Sequence, residues 1–152
     1  MKTIVRIRAA KNHDAKRVYE FLCEKEDFLF DFHDFEINYR ICIGNGDNIY
    51  LVAVDDKNDA VGFISCHGAT VLHEGGFVYE IKELFIEKKH RKGGIGKMLL
   101  KQLQEVLASR LYQSLEISVK NIRSDLIQFY KNNGFEMSQV KLVRTKQKAF
   151  AS

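Results

Sequence analysis

The sequence predicts a mixed α/β fold, in which a mostly antiparallel sheet is flanked by helices, within a single domain of 152 residues. Short apolar strands separated by turns occupy the middle of the chain, and amphipathic helical segments lie on either side of them. The last of these central strands, at residues 78–86, leads through a glycine-rich turn into a long amphipathic helix. Helices that bury their apolar faces against a sheet give a layered α/β architecture.

The N-terminal part of the chain predicts one strand and two helices. Residues 3–8 alternate apolar and polar side chains, which is typical of a strand. Residues 12–14 (Asn-His-Asp) supply helix-capping chemistry before an apolar stripe at helical spacing. Four phenylalanines among residues 28–35 fit neither period, so we predict an aromatic loop and a second helix at residues 34–43. The stripe of the first helix consists of Ala15, Val18, Tyr19, Leu22 and Cys23.

The remainder predicts further strands around two more helices. The strands are expected at residues 49–54, 60–67, 78–86 and 115–120, with final segments at 135–137 and 140–146. A helix ending at Leu107 has an apolar face that consists of Ile95, Leu99, Leu103, Val106 and Leu107. The last helix is predicted at residues 121–133, with Gly134 as its C-terminal cap.

The turn between the strand at 78–86 and its helix carries the pattern R-x-x-G-x-G. The first amides of a helix have no intrahelical partner, and the helix dipole adds partial positive charge there. Gly94 and Gly96 lack Cβ atoms, so a phosphate can approach the backbone, and Arg91 and Lys97 add charge. The pattern therefore predicts a pyrophosphate-binding turn, although neither the Walker A nor the dinucleotide motif is present. The alternative is a surface turn with solvated basic residues.

Two stretches together resemble the signatures of the GNAT (GCN5-related) N-acetyltransferase family. Leu84-Phe85-Ile86 followed by Arg91-x-x-Gly94-x-Gly96 resembles its acyl-CoA signature. Residues 118–121 (SVKN) and 129–135 (FYKNNGF) resemble a second signature, in the order in which the family has it. One departure is Lys92, where many members have glycine directly after the arginine.

The resemblance implies the GNAT fold and an acetyl-CoA-dependent N-acetyltransferase. It also implies that the backbone of residues 84–86 pairs with the pantetheine arm of the cofactor and that Asn121 bonds to it. The implied cofactor-binding residues are Leu84, Phe85, Ile86, Arg91, Lys92, Gly93, Gly94, Ile95, Gly96, Lys97, Asn121 and Tyr130.

Acetyl transfer to an amine needs a base for the ammonium proton and a proton donor for the departing thiolate. Glu80 and Glu83 are carboxylates in an otherwise apolar strand. They point to opposite faces if the strand is regular, and a bulge between them would change that. By its distance from the R-x-x-G-x-G pattern, Glu80 matches the base of several relatives and Glu83 that of another subset, and we favour Glu80 as the base. Tyr130, four residues before Gly134, matches the family's acid. The alternative for Glu80, Glu83 and Tyr130 is a purely structural role.

The acceptor is less well specified. Residues 30–35 (FDFHDF), and His67 and His73 ahead of residues 79–84, resemble the aminoalkylphosphonate N-acetyltransferases of the family, which a divalent metal assists. The alternatives are another small amine, such as a polyamine or an amino sugar, and then protein amines. Possible metal ligands are Asp31, His33, His67 and His73, but they lack ligand spacing and no metal site is assigned. Possible partners of an anionic acceptor are Arg40, Lys82 and Arg144.

Composition favours a cytoplasmic protein. The net charge of +4 is too mild to indicate nucleic-acid binding, and no stretch is long enough for a membrane span or a signal peptide. Three cysteines without metal spacing predict reduced thiols. The sequence does not decide whether the protein forms a homodimer.

Two alternatives concern the chemistry. Cys66 is the nearest alternative nucleophile to direct transfer in a ternary complex. A non-catalytic acyl-CoA sensor is the alternative of another class.

Overall fold

The computed structural model describes residues 4–29, 31–120 and 124–146. Short 3₁₀ helices occur at Asn12–Asp14, Leu72–Glu74 and Lys88–His90. The chain divides into two compact units, Met1–Ile117 and Ser118–Ser152. The other elements, in chain order, are β1 (Arg6–Ala9), α1 (Ala15–Glu26), α2 (Phe32–Gly44), β2 (Ile49–Val54), β3 (Ala60–Val71), β4 (Gly76–Ile86), α3 (Ile95–Leu107), β5 (Ser114–Ile117) and α4 (Ser124–Asn132).

The first unit contains a five-stranded sheet with the strand order β1-β2-β3-β4-β5. The pairs β1–β2, β2–β3 and β3–β4 are antiparallel, and β5 runs parallel to β4. The predicted mixed, mostly antiparallel sheet is therefore confirmed. None of the helices in the described part of the chain has the length and apolar composition that crossing a bilayer requires.

Helices cover both faces of this sheet. On one face, α1 and α2 pack on Val52, Phe63 and Phe85, and the rings of Phe21 and Phe85 stack with centroids 4.9 Å apart. The other face is covered by α3: a Cβ placed on Gly62, next to Phe63 in β3, would meet Ile95 and Leu99. The buried residues of α3 are Ile95, Leu99, Leu100, Leu103 and Leu107, so Leu100 takes the place predicted for Val106.

The apolar stripe predicted for α1 is partly wrong. Ala15 and Val18 are buried as expected, but the third fully buried residue is Phe21. Tyr19, Leu22 and Cys23 are only half-buried. The reason is that α1 contacts both the sheet and α2, so its contacts cover a wider arc than a single stripe.

The C-terminal predictions hold only in part. Gly134 follows α4 with φ +93°, as expected of a C-terminal glycine. The strands predicted at residues 135–137 and 140–146 are wrong, and Met137, Val140 and Leu142 are 70%, 88% and 91% exposed. An alternating pattern is not sufficient for a strand, which also needs a neighbouring strand for its backbone hydrogen bonds.

A buried ion pair fixes the start of α1 to the first strand. Asp14 is 4% exposed and accepts hydrogen bonds of 2.7 and 2.9 Å from the Arg8 guanidinium and of 2.8 Å from the backbone N–H of Lys11. Burial raises the pKa of Asp14, but the hydrogen bonds from Arg8 and Lys11 lower it by more, so the net pKa lies below its ordinary value.

We expect Asp14→Asn to lower the free energy of unfolding by about 3 kcal/mol at neutral pH, because it leaves the Arg8 charge without its partner. In the native protein this contribution is complete above the ordinary carboxyl pKa and is lost as the pH falls through the lowered folded-state pKa. Urea unfolding over a pH series measures both effects. The control is Asp56→Asn, in the exposed β2–β3 turn, and equal stabilities of the two variants would contradict the expectation.

Candidate active site

The glycine-rich turn has the backbone geometry of an anion site. Gly94 has φ +83° and precedes α3, whose first intrahelical hydrogen bond joins the N–H of Met98 to the Gly94 carbonyl at 3.0 Å. The amides of residues 95–97 therefore have no acceptor within the helix. A Cβ placed on Gly94 would meet no atom within 4 Å, so the space beside the backbone is open to a ligand.

Lys92 has a left-handed backbone, with φ +67°. Such a conformation costs a non-glycine residue about 1 kcal/mol or more, which is a physical reason for the glycine that many relatives have there. This chain instead has an exposed lysine at that position. Lys92 therefore adds a cation at the expense of backbone strain.

Arg91 connects the turn to the end of β4. Its Nε donates to the Ile86 carbonyl at 2.9 Å, and its guanidinium lies 5.4 Å from the centroid of the Phe85 ring. Lys97 is exposed at the same end of α3, whereas Ile95 is buried against Gly62. We refer to residues 91–97 as the phosphate turn.

A β-bulge decides where the two candidate bases point. Ser65 pairs with Glu83 and Cys66 with Ile81, so Lys82 has no partner on β3. The extra residue reverses the alternation of side chains, and Glu80 and Glu83 lie on the same face of the sheet. This is the face of Phe85, covered by α1 and α2.

The same bulge marks the end of the pairing between β4 and β5. The last pair is Ile81 with Ile117, and β4 continues for residues 82–86 with no partner on β5 in the described chain. A bulge increases local twist and re-directs a strand, and the last β4–β5 pair lies beside this one. Within the first unit, no strand pairs with this edge of β4 at residues 84–86, where the family resemblance implies that the pantetheine arm binds.

Polar side chains surround the two glutamates. Ser65 Oγ–H donates to Glu83 Oε1 at 2.7 Å, and the backbone N–H of Glu83 donates to Ser65 Oγ at 3.0 Å. Lys82 Nζ donates to Glu80 Oε1 at 3.0 Å. The carboxylate of Glu83 is thus held by a buried hydroxyl and that of Glu80 by a partly exposed cation.

His67 and Tyr50 extend this polar group along the sheet. His67 pairs with Glu80 across the strands, and its Nε2 lies 2.7 Å from Tyr50 Oη. Burial lowers the pKa of His67, against the opposite effects of Glu83 and Glu80, so the imidazole is neutral at neutral pH. Sequence reasoning missed Tyr50 and Ser65. A serine within an otherwise apolar strand (FISC) was the signal for Ser65.

A cleft opens beside Glu83, between the end of α1 and the start of α2. It has a volume of about 670 Å³. The phenylalanine-rich segment at residues 28–35 contributes Phe28, Leu29, Asp31, Asp34 and Phe35, while the ring centroid of Phe32 lies 5.1 Å from that of Tyr19. We call this the acidic cleft, and its lining residues are Leu22, Glu26, Phe28, Leu29, Asp31, Asp34, Phe35, Asn38 and Glu83.

The candidate metal ligands do not assemble. In the described residues, no three histidine, cysteine, aspartate or glutamate side chains form a group that could hold a metal ion. Of the four residues considered, Asp31 alone lines the acidic cleft, and its Oδ2 accepts from the backbone N–H of Asp34 at 3.0 Å as the N-cap of α2.

Cys66 has the wrong position and chemistry for a nucleophile. It is fully buried, and it points to the face opposite Ser65, towards α3. Burial raises the pKa of its thiol to about 12, so the reactive thiolate is scarce at neutral pH.

Tyr130 belongs to the second unit. It is 5% exposed, and its ring packs edge-on against Phe129 and Phe135 with centroids 5.1 and 5.4 Å away. Burial raises the pKa of its hydroxyl to about 12, so the phenol keeps its proton at neutral pH. Asn121 lies outside the described residues.

Comparison with known proteins now identifies the family. The model of the acetyltransferase (GNAT) family matches residues 13–135, and the chain belongs to that family. No curated protein sequence matches that of this chain.

Three solved structures illustrate the shared fold. A transcriptional regulator from Bacillus halodurans C-125 has a TM-score of 0.85 at 19% identity, covering 94% of this chain and 100% of its own. Ribosomal-protein-alanine N-acetyltransferase from Brucella melitensis biovar Abortus 2308 has a TM-score of 0.76 at 17% identity, covering 95% and 100%. Glucosamine-6-phosphate N-acetyltransferase from Arabidopsis thaliana has a TM-score of 0.77 at 13% identity, covering 95% and 99%.

Proposed function

We propose that this protein is an acetyl-CoA-dependent N-acetyltransferase that acetylates a primary amine of a small molecule by direct transfer in a ternary complex. The observation that carries the proposal is the bulge at Lys82. With this bulge, Glu83 lies on the face of the sheet where the acidic cleft opens. At the same point, the edge of β4 that faces β5 has its last paired residue, Ile81. One strand thus offers a carboxylate to an acceptor and an open backbone edge to a cofactor.

The residues present fit acetyl-CoA. The open edge of β4 at residues 84–86 offers backbone groups to the pantetheine amides, as an added strand would use them. The phosphate turn offers helix N-terminal amides and the exposed charges of Arg91, Lys92 and Lys97 to the pyrophosphate. Sequence resemblance adds Asn121. When bound, acetyl-CoA supplies a thioester whose carbonyl carbon is open to attack by a free amine.

Glu83 is the proposed base. It lines the acidic cleft, where the acceptor would lie, and Ser65 fixes one of its carboxylate oxygens. Glu83 takes the ammonium proton, and the free amine nitrogen would then form its bond to the acetyl carbon as the carbon–sulfur bond breaks. The nitrogen loses its second proton as the amide forms, which balances the proton that the thiolate receives. Glu80, which sequence comparison favours, is bonded to Lys82 and is the alternative.

Tyr130 is the proposed acid. This assignment rests on the resemblance of its position, four residues before Gly134, to that of the family's acid. Its phenol carries a proton at neutral pH that it can give to the departing thiolate, and burial, which raises the pKa to about 12, makes it a weaker acid than an exposed tyrosine. The inertness of Cys66 supports direct transfer over an acetyl-enzyme route.

The acceptor candidates are the aminoalkylphosphonates, polyamines, amino sugars and protein amines. The two acetyltransferases compared above act, by their names, on a ribosomal protein and on an amino sugar phosphate. At 17% and 13% sequence identity, the similarity supports a shared fold and not a shared acceptor. The walls that Leu22 and Phe35 give the acidic cleft favour a small molecule.

The proposal is tested by thiol release from acetyl-CoA in the presence of these amines, each with and without a chelator. We expect turnover on at least one small amine and no burst of acetyl-enzyme in the absence of acceptor. Loss of turnover with chelator would add a divalent metal to the reaction. Tight acetyl-CoA binding without turnover on any amine would favour the sensor module instead.

A further inference from the structure

We infer that His67, held in place by Tyr50, is a positioning residue for the proposed base: a neutral imidazole leaves Glu83 able to accept a proton, and a protonated imidazole prevents it. This inference rests on the proposed function and adds two residues to the same site. His67 is not among the described residues that line the acidic cleft, so it acts through Glu83 and not on the acceptor itself.

The first argument is the register of the three central strands. Tyr50 on β2 pairs with Ser65 on β3, and Ser65 pairs with Glu83 on β4. His67 is two residues after Ser65 on the same strand, so both side chains lie on the face of the two glutamates. The direct cross-strand partner of His67 is Glu80, and Glu83 is its diagonal neighbour, at the usual separation of about 7–8 Å. The imidazole therefore lies beside both carboxylates.

The second argument is the hydrogen bond that orients the imidazole. Tyr50 Oη lies 2.7 Å from His67 Nε2, and the two rings stack with centroids 5.6 Å apart and an angle of 17° between their planes. The Tyr50 ring packs in turn against Tyr39 and Phe63, with centroids 6.2 and 5.6 Å away. Burial raises the pKa of Tyr50 above its ordinary value, so the phenol keeps its proton. As a donor to an unprotonated Nε2, this phenol favours the neutral imidazole.

The third argument is the balance of charges around the imidazole. Burial has the largest effect on His67 and lowers its pKa, so the ring is neutral at neutral pH. Side chains of β4 act in both directions, since the two glutamates raise the pKa of His67 and the lysine between them lowers it. Two side chains of α2 raise the pKa of Tyr50 further. The titratable groups that face this pair are Glu80, Lys82 and Glu83 on β4 and Tyr39 and Cys42 on α2.

Protonation of His67 changes the charge beside the base. An imidazolium stabilises the carboxylate form of Glu83 and therefore makes it a weaker base. It also repels the ammonium group of an acceptor that approaches Glu83. Because the pKa of His67 is lowered, the charged form is populated only at a pH below the ordinary range of histidine. The rate should fall as the pH decreases through that lowered value.

The test is the pH dependence of kcat for the unchanged protein and two variants. In His67→Gln the side chain cannot be protonated, and its amide can still bond to Tyr50. Its kcat at about pH 5, relative to its own value at neutral pH, should exceed that of the unchanged protein about threefold or more. Tyr50→Phe removes the donor that favours the neutral imidazole, so the acidic limb of its profile should move to higher pH. A merely structural role would lower kcat at every pH without changing the shape of the profile.

His73→Gln is the matched control, because the His73 side chain is 77% exposed in the 3₁₀ helix between β3 and β4. It should keep the profile of the unchanged protein. An NMR titration of the His67 ring gives a second readout that needs no turnover. Glu83→Gln should lower the pKa of His67 in that titration, because the Glu83 charge raises it.

Coincident profiles of His67→Gln and the unchanged protein, or a His67 titration that does not respond to Glu83→Gln, would overturn the inference while leaving the acetyltransferase proposal intact. An absence of turnover on every amine would instead overturn the proposed function, and this inference with it.

Discussion

Replacing Glu83 with glutamine should lower kcat by about 10²–10⁴-fold at neutral pH, the usual range for loss of a general base. The amide keeps the size of the side chain and can still accept the hydrogen bond that Ser65 donates at 2.7 Å. It cannot take the ammonium proton. The affinity for acetyl-CoA should stay the same, because Glu83 is not among the proposed cofactor-binding residues. Steady-state thiol release and equilibrium cofactor binding measure the two quantities, and the deficit should shrink at high pH, where more acceptor is already a free amine.

Glu80→Gln is the matched control, since both glutamates are on one face of β4. It removes the carboxylate charge beside Lys82 Nζ but leaves the acidic cleft and Ser65 unchanged, so we expect a loss in kcat below about tenfold. The opposite order of the two losses would assign the base to Glu80, as sequence comparison favours. Equal small losses would remove both carboxylates from the proton transfer.

The second large effect is expected for Tyr130→Phe, which should lower kcat by about 10²-fold or more. The substitution removes the hydroxyl and keeps the ring that packs on Phe129 and Phe135. This hydroxyl carries its proton throughout the neutral range, because burial raises its pKa rather than lowering it. Acetyl-CoA binding should survive, and a calorimetric titration beside the rate measurement separates the two.

Tyr112→Phe serves as the control for the loss of a tyrosine hydroxyl, because Tyr112 is 37% exposed and lies outside the proposed site. It should have the kinetics of the unchanged protein. If kcat of Tyr130→Phe is unchanged across the pH range, the acid role of Tyr130 is refuted. A parallel loss of cofactor affinity would indicate a binding role instead.

Features that depend on neighbouring residues along the chain could be predicted from the sequence. The order of β4, the phosphate turn and α3 follows from an apolar run, a glycine pair and a helical period, and the structure places them at residues 76–107. Gly94 and Gly134 adopt the left-handed backbone that their positions require. These are local properties, since a residue's period, capping and backbone freedom need no distant partner.

The tertiary structure decided what depends on pairing between distant segments. A bulge is defined by the register of β4 on β3, which the sequence does not specify. The sequence therefore predicts a common face for Glu80 and Glu83 only if a bulge lies between them. The strands predicted at residues 135–137 and 140–146 fail for the same reason, because an alternating pattern does not provide a neighbouring strand. The acidic cleft joins the end of α1, the start of α2 and one side chain of β4, so its charge exists only once these elements are packed together.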